Sequence, residues 1–282
     1  MDVLKTCEDL RKYVDAHSVA GNTIGFVPTM GALHKGHLSL LTRSVQENDV
    51  SIVSVFVNPI QFNNKEDLRM YPRTLDKDIA LLESAGCNAV FVPEVVEMYP
   101  EGEIVAEKYD FGTLETVMEG KFRPGHFNGV AVVVKRLFDI AKPTRAYFGL
   151  KDFQQLAIIK SLVNQYNIPV EIVPCEIVRE DDGLAMSSRN VRLKADEREQ
   201  AAGISHILFD AIQYVNKKSV DEVKKIVINA INSVPLLSVE YFDLVDAATL
   251  QSVEKWNDAE SVVGCVAVNV GEVRLIDAVL FF

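Results

Sequence analysis

The sequence predicts an α/β fold: a doubly wound, Rossmann-like parallel sheet followed by a smaller C-terminal α+β domain. Three observations predict it. Short runs rich in β-branched and apolar residues recur at 23–28, 50–58, 88–93, 145–149 and 170–175. Helical periods separate them, so strand and helix alternate as in a parallel sheet covered on both faces. After about residue 180 two consecutive helices are followed by long strands, the pattern of an antiparallel sheet. The expected domains are therefore 1–178 and 179–282.

Each element has its own signal. Residues 3–17 read as an amphipathic helix and 23–28 as a buried strand. From Gly36 the pattern turns helical, with Leu38, Leu40, Leu41 and Val45 on one face. The stretch "VSIVSVFVN" (50–58) has the continuous apolar character of a strand buried on both sides. A helix over 75–85 ends at Gly86, a natural C-cap, and "NAVFVP" (88–93) is the next strand. Residues 126–142 read as a helix even though valine lowers its propensity. "RAYFG" (145–149) is a strand, 152–166 a helix and "VEIVPC" (170–175) a strand. Helices follow at 195–215 and 220–232, then strands at 239–247 and within 261–282, with Asn269-Val-Gly-Glu272 as a hairpin turn.

Composition narrows the class. The chain has 282 residues, 48% of them hydrophobic, which supports one large or two modest cores. No apolar run approaches the roughly 18 residues of a membrane span. The start, "MDVLKTCEDL", lacks a basic segment followed by an apolar one, so neither a membrane nor a signal peptide is expected. Cys7, Cys87, Cys175 and Cys265 are far apart with no C-x-x-C pair. That argues against a zinc site or disulfide framework and for a reducing, cytoplasmic home. A net charge of −11 makes nucleic acid an unsuitable partner, although small anions still bind where a few basic groups converge.

The first chemical signal is "PTMGALHKGH" (28–37), which follows the first buried strand. Ligands of open α/β sheets bind at carboxyl ends of strands, and anions favour helix N-termini. Gly31 and Gly36 permit close backbone approach. His34 and His37 lie near enough for both rings to face one anion, and a histidine N–H donates to phosphate without a permanent charge. The other reading of the pair is as two solvated or capping side chains. The strand–glycine–H-x-G-H–helix context favours the anion site and resembles the signature of nucleotidyltransferases that adenylylate with ATP.

Further motifs follow in order: "VFVNPIQF" (55–62), "YPRTLDKD" (71–78), "EGKFRPGHFNGV" (119–130), "FGLKDFQQ" (148–155) and "REDDGLAMSSRN" (179–190). Together they resemble the pantothenate synthetases, the pantoate–β-alanine ligases, over essentially the whole chain. Leu150 and Phe153 depart from the family's usual residues at positions that need carry no chemistry. Lys77-Asp78 replaces an acidic pair found in some members, which weakens a two-carboxylate metal site and leaves Asp78 as its candidate.

The resemblance implies an enzyme of two steps, acting in pantothenate and coenzyme A biosynthesis. The carboxylate of pantoate attacks the α-phosphorus of ATP to give pantoyl adenylate and pyrophosphate. The amine of β-alanine then attacks the adenylate, giving pantothenate and AMP. It implies Mg²⁺ held largely by the nucleotide, and a homodimer. His34, His37, Lys151, Ser187, Ser188 and Arg189 would stabilise the reacting phosphates. "MSSRN" loosely resembles the K-M-S-K-S loop of other adenylylating enzymes, and a mobile basic loop there could close over the triphosphate. Pro28, Thr29, Met30, Gly36, Gly149, Asp152, Val178 and Met186 would complete the ATP site. Asp152 either accepts from a ribose hydroxyl or opens the next helix as an N-terminal carboxylate. Met30, Gln61, Phe62 and Gln155 would bind pantoate, since neutral amides match hydroxyls without damping the nucleophile. Asn58, Arg123 and His126 are candidates for the β-alanine region. The 1–178 domain would bind ATP and pantoate, and the 179–282 domain would be the lid that keeps water from the adenylate.

Three rivals remain at this level. One is an H-x-G-H transferase that releases a nucleotide-linked product. Another is a class I aminoacyl-tRNA synthetase, disfavoured by length and acidity. The third is a nucleotide-binding regulator without catalysis.

Overall fold

The computed structural model describes residues 1–100 and 108–282. The chain runs through β1 (Asp2–Leu4), α1 (Cys7–Val19), β2 (Ile24–Thr29), α2 (Lys35–Glu47), β3 (Val50–Val55), α3 (Lys65–Met70), α4 (Leu75–Ser84), β4 (Ala89–Phe91) and α5 (Val95–Met98). It continues through α6 (Met118–Phe122), α7 (His126–Ala141), β5 (Arg145–Gly149), α8 (Phe153–Gln165), β6 (Glu171–Cys175), α9 (Ala195–Ala201), α10 (Gly203–Ile212) and α11 (Val220–Ser233). The last strands are β7 (Leu237–Asp246), β8 (Val262–Val270) and β9 (Val273–Leu280).

Two compact units result. One comprises Met1–Phe111, Arg123–Gly149 and Gln155–Glu176, and the other Gly112–Phe122, Leu150–Gln154 and Ile177–Phe282. The chain changes unit at 176/177, near the boundary expected at 178/179. It also changes at four earlier junctions, because two short inserts that carry no composition signal, 112–122 and 150–154, join the second unit.

The first unit holds a six-stranded parallel sheet in the order β1-β4-β3-β2-β5-β6. This is the doubly wound α/β sheet the strand–helix rhythm predicts, with one strand more. The helix expected over 3–17 starts instead at Cys7, because Thr6 caps it. Thr6 Oγ1 accepts from the Asp9 N–H at 3.0 Å, while Asp9 Oδ2 accepts from the Thr6 N–H at 3.3 Å. Residues Asp2–Leu4 are thereby free to pair with Ala89–Phe91. Val27, Leu41, Val53, Leu82, Val90 and Tyr147 pack as one buried cluster. Each side chain removed from water contributes on the order of 1.5–3 kcal/mol.

Strand order reverses between β2 and β5, which pair only at Gly25–Arg145 and Phe26–Ala146. Pro28 has no N–H to extend that ladder. The carboxyl ends of β2 and β5 therefore part company, and that is where open α/β sheets bind ligands.

The second unit has an antiparallel sheet β7-β8-β9 with a tight turn at Gly271-Glu272. Ile204, Leu208, Val223, Val227 and Ile231 from α10 and α11 share a core with Phe242, Leu244, Val266 and Val268. The single helix expected over 195–215 is two, α9 and α10, which meet at Ala202. No helix among the described residues is long and apolar enough to cross a membrane.

Candidate active site

The "TMGALH" turn is built on a buried acid. Gly31 and Ala32 both take left-handed backbone, at φ 79° and 49°. A Cβ on Gly31 would fall 3.0 Å from Val55 and 3.1 Å from Asp78, so glycine suits the position twice over. Alanine in that region costs about 1 kcal/mol or more. Asp78 on α4 offsets the strain. Its Oδ2 accepts from the Ala32 N–H at 2.9 Å, and its Oδ1 accepts from the Leu33 N–H at 2.8 Å and from Thr74 Oγ1 at 3.0 Å. Asp78 is 1% exposed. The candidate metal ligand is thus a clamp on the turn, with both oxygens spent on N–H and O–H donors. No group of three His, Cys, Asp or Glu side chains arranged for a metal occurs among the described residues.

The turn delivers both histidines to the start of α2. His34 is the N-cap: its Nδ1 accepts from the Gly36 N–H at 3.1 Å. His37 Nδ1 accepts from the His34 N–H at 3.3 Å. The rings are 4.0 Å apart. A ring nitrogen that accepts carries no proton, so each neutral ring holds its proton on Nε2. The capping reading of the pair is therefore seen directly, and capping leaves Nδ1 as the acceptor in both rings. The cap fixes the tautomer, and the tautomer supplies two N–H donors beside the positive end of a helix dipole.

The "VNPIQF" motif lies in the same unit. Asn58 caps the short turn Pro59–Gln61 and is 1% exposed. His126 is also buried, and its Nδ1–H donates to Gln61 O at 2.8 Å. Asn58 and His126, the β-alanine candidates, thus spend polar groups on Gln61 and its surroundings, while Arg123 is half-buried. Phe62 is half-buried and meets Tyr71 edge-on at 5.7 Å. Gln155 is half-buried in the first turn of α8. Pro28 and Met30 are half-buried, and Thr29 is buried with its Oγ1 donating to Ser54 O at 2.7 Å.

The remaining candidates belong to the second unit, except Gly149, which ends β5. Lys151 and Asp152 form a single 3₁₀ turn and pair at 3.4 Å. Val178 and Met186 are joined directly, Met186 N–H to Val178 O at 3.0 Å, in a small hairpin. Arg179 braces it: its guanidinium bonds Asp277 at 2.7 and 2.9 Å and Gly183 O at 3.1 Å. Ser187 caps the turn Ser188–Arg192, its Oγ accepting from the Arg189 N–H at 3.2 Å, and Ser188 is buried. Asp277 lies 98 residues from Arg179, which hides the brace from any local pattern.

A family model described as Pantoate-beta-alanine ligase matches residues 2–280. The chain belongs to the pantoate-β-alanine ligase family. Curated relatives agree. Proteins named pantothenate synthetase from Bacteroides fragilis and Porphyromonas gingivalis are 54% and 50% identical over 281 residues, covering 100% of this chain and 99% of theirs. A pantothenate synthetase structure from Thermus thermophilus superposes with a TM-score of 0.93 at 41% identity, each chain covered completely. A pantoate-β-alanine ligase from Francisella tularensis, solved with Beta-gamma ATP and β-alanine, gives 0.83 at 34% identity, covering 100% of this chain and 98% of that one. The H-x-G-H, N-P-I-Q-F and M-S-S-R-N motifs thus all lie within the stretch, residues 2–280, that matches the ligase family.

Proposed function

We propose that this enzyme joins pantoate to β-alanine at the expense of ATP, forming pantoyl adenylate and then pantothenate, and releasing pyrophosphate and AMP. The family match over residues 2–280 carries the reading, and the geometry supports a division of labour. In the first step a pantoate carboxylate oxygen bonds to the α-phosphorus and the bond to the bridging pyrophosphate oxygen breaks. The Nε2–H groups of His34 and His37 donate to the phosphate oxygens as charge builds there. Lys151, Arg189, Ser187 and Ser188 supply the other charges and donors, and Gln61 and Gln155 hold the acid. In the second step the β-alanine nitrogen bonds to the acyl carbon, AMP departs, and the amine's extra proton goes to solvent or the leaving phosphate. Arg123 is the candidate for the β-alanine carboxylate.

Among the described residues no group of three side chains fits a protein-held magnesium site. Asp78 is fully engaged in the turn, so Mg²⁺ is assigned to the nucleotide's own phosphates. The homodimer and the cytoplasmic location remain part of the proposal, the latter supported by four unpaired cysteines. Mass spectrometry of reactions lacking ATP, pantoate or β-alanine in turn tests the function. Pantothenate and AMP should form together only in the complete mixture. A stable nucleotide-linked end product would favour the transferase rival, and ATP binding without turnover the regulator.

A further inference from the structure

Gln61 is 9% exposed, and the groups behind its amide leave that amide one orientation. Asn58 Nδ2 donates to Gln61 Oε1 at 3.0 Å and to Gly129 O at 3.1 Å. Asn58 Oδ1 accepts from the Tyr99 hydroxyl at 2.8 Å and from the Ile60 N–H at 3.4 Å. A carbonyl only accepts and a backbone N–H only donates, so Gly129 and Ile60 settle which end of the Asn58 amide is which. Its second N–H then requires an acceptor, and Gln61 must offer Oε1. Gln61 Nε2 is turned the other way, 3.3 Å from Met30 Sδ, which also only accepts. Flipping Gln61 would set Nε2 against Asn58 Nδ2 and Oε1 against the Met30 sulfur, two repulsive contacts in place of two bonds.

The main chain is held as firmly. His126 bonds Gln61 O at 2.8 Å. A Cβ on Gly129 would lie 2.8 Å from Gln61 Cα, so glycine there lets α7 press against this turn. Tyr99 is buried, and burial pushes its phenol above the ordinary value, so it stays protonated and donating.

We propose that Tyr99 and Asn58 are positioning residues that lock Gln61 with its N–H₂ toward the acid substrate, making the enzyme select an oxygen that accepts. This rests on the assignment of Gln61 to pantoate made above. An amide is attractive for a hydroxy acid because it can donate or accept, but here the choice is made in advance. The second N–H of Gln61 has no partner among the described residues, and a carboxylate or hydroxyl oxygen satisfies it. An analogue that presents only a donor at that point is rejected, because it would meet another donor in a buried site.

The variants Tyr99→Phe and Asn58→Asp test this. Removing the Tyr99 hydroxyl should raise KM for pantoate about tenfold, one buried hydrogen bond's worth, and leave KM for ATP unchanged. Asn58→Asp should turn Gln61 around and weaken pantoate more than a hundredfold, with ATP binding retained. The ¹⁵N side-chain amide resonances of Gln61, read without substrate, should move in Tyr99→Phe. Equal rises in both KM values, an unchanged KM for pantoate, or an unmoved Gln61 resonance in Tyr99→Phe would overturn the lock. Wild-type enzyme that forms no pantothenate would sink the substrate reading instead, and the resonance would still decide the lock.

Discussion

His34 and His37 each do two things with one ring. Nδ1 satisfies a backbone N–H at the start of α2, and the same bond fixes the proton on Nε2. The two roles separate by mutation. Asparagine is among the best N-caps, but it has no ring N–H to present. His34→Asn should leave thermal stability near that of the wild type while pyrophosphate release slows by about 10²–10³, the usual cost of one donor to developing charge. Unchanged kinetics with a lowered melting temperature would mean that the ring only caps. The histidine pair was legible in the sequence because both members sit in one ten-residue stretch. The Asn58–Gln61 bond was half legible: both residues stand in one motif, but nothing local says that Asn58 faces Gln61 rather than a ligand. Tyr99 was invisible, because its partner lies 41 residues away.

At the scale of elements, strained turns are held by distant helices. The Gly31-Ala32 turn keeps its left-handed backbone because α4 brings Asp78 beneath it. Asp78→Asn replaces one acceptor by a donor facing an N–H. It should destabilise the protein by about 1–3 kcal/mol and lower kcat, because the turn that aims both histidines loosens. Denaturant melts and steady-state rates of the same preparation check both effects, and a variant as stable and as fast as the wild type would refute the clamp. In the second unit Glu119 accepts from Tyr241 at 2.8 Å and from Arg274 at 2.6 and 3.0 Å, and Arg274 also bonds Glu240 at 2.6 Å. The motif carrying Glu119 was legible, but Arg274 lies 155 residues away. Periodicity located the long helices and buried strands well. It missed β1 because three residues carry no period and their pairing is with Ala89–Phe91. It fused α9 to α10 because Gly203 stands alone between Gln200-Ala201-Ala202 and an apolar helical pattern, and a lone glycine does not by itself end such a pattern.

The whole molecule combines an acidic surface with two units whose cores hold all four cysteines. Cys7, Cys87, Cys175 and Cys265 are buried and unpaired. Burial pushes the Cys87 thiol up to about 12 from an ordinary value near 9. Burial, helped by the Glu47 carboxylate, pushes the Tyr147 phenol up to about 12 from near 10. Folded protein therefore keeps protons that the unfolded chain releases. The stability these neutral groups contribute is complete below about pH 9 and is lost as pH rises toward 12. Urea midpoints measured from about pH 8 to 11 should fall across that range, and Cys87→Ala should flatten part of the fall; a midpoint that stays constant in the wild type would contradict the assignment. The fold class was legible at this scale because a βα rhythm is a property of long stretches. The exchange of short inserts between units was not, since 112–122 and 150–154 are too brief to shift composition.

The central claim is that the chain activates a carboxylic acid as an adenylate before the amine arrives. Exchange of labelled pyrophosphate into ATP tests it most directly. With pantoate present and β-alanine absent, label should enter ATP, and leaving out pantoate should abolish the exchange. Exchange that ignores pantoate, or that appears only when β-alanine is added, would contradict the account.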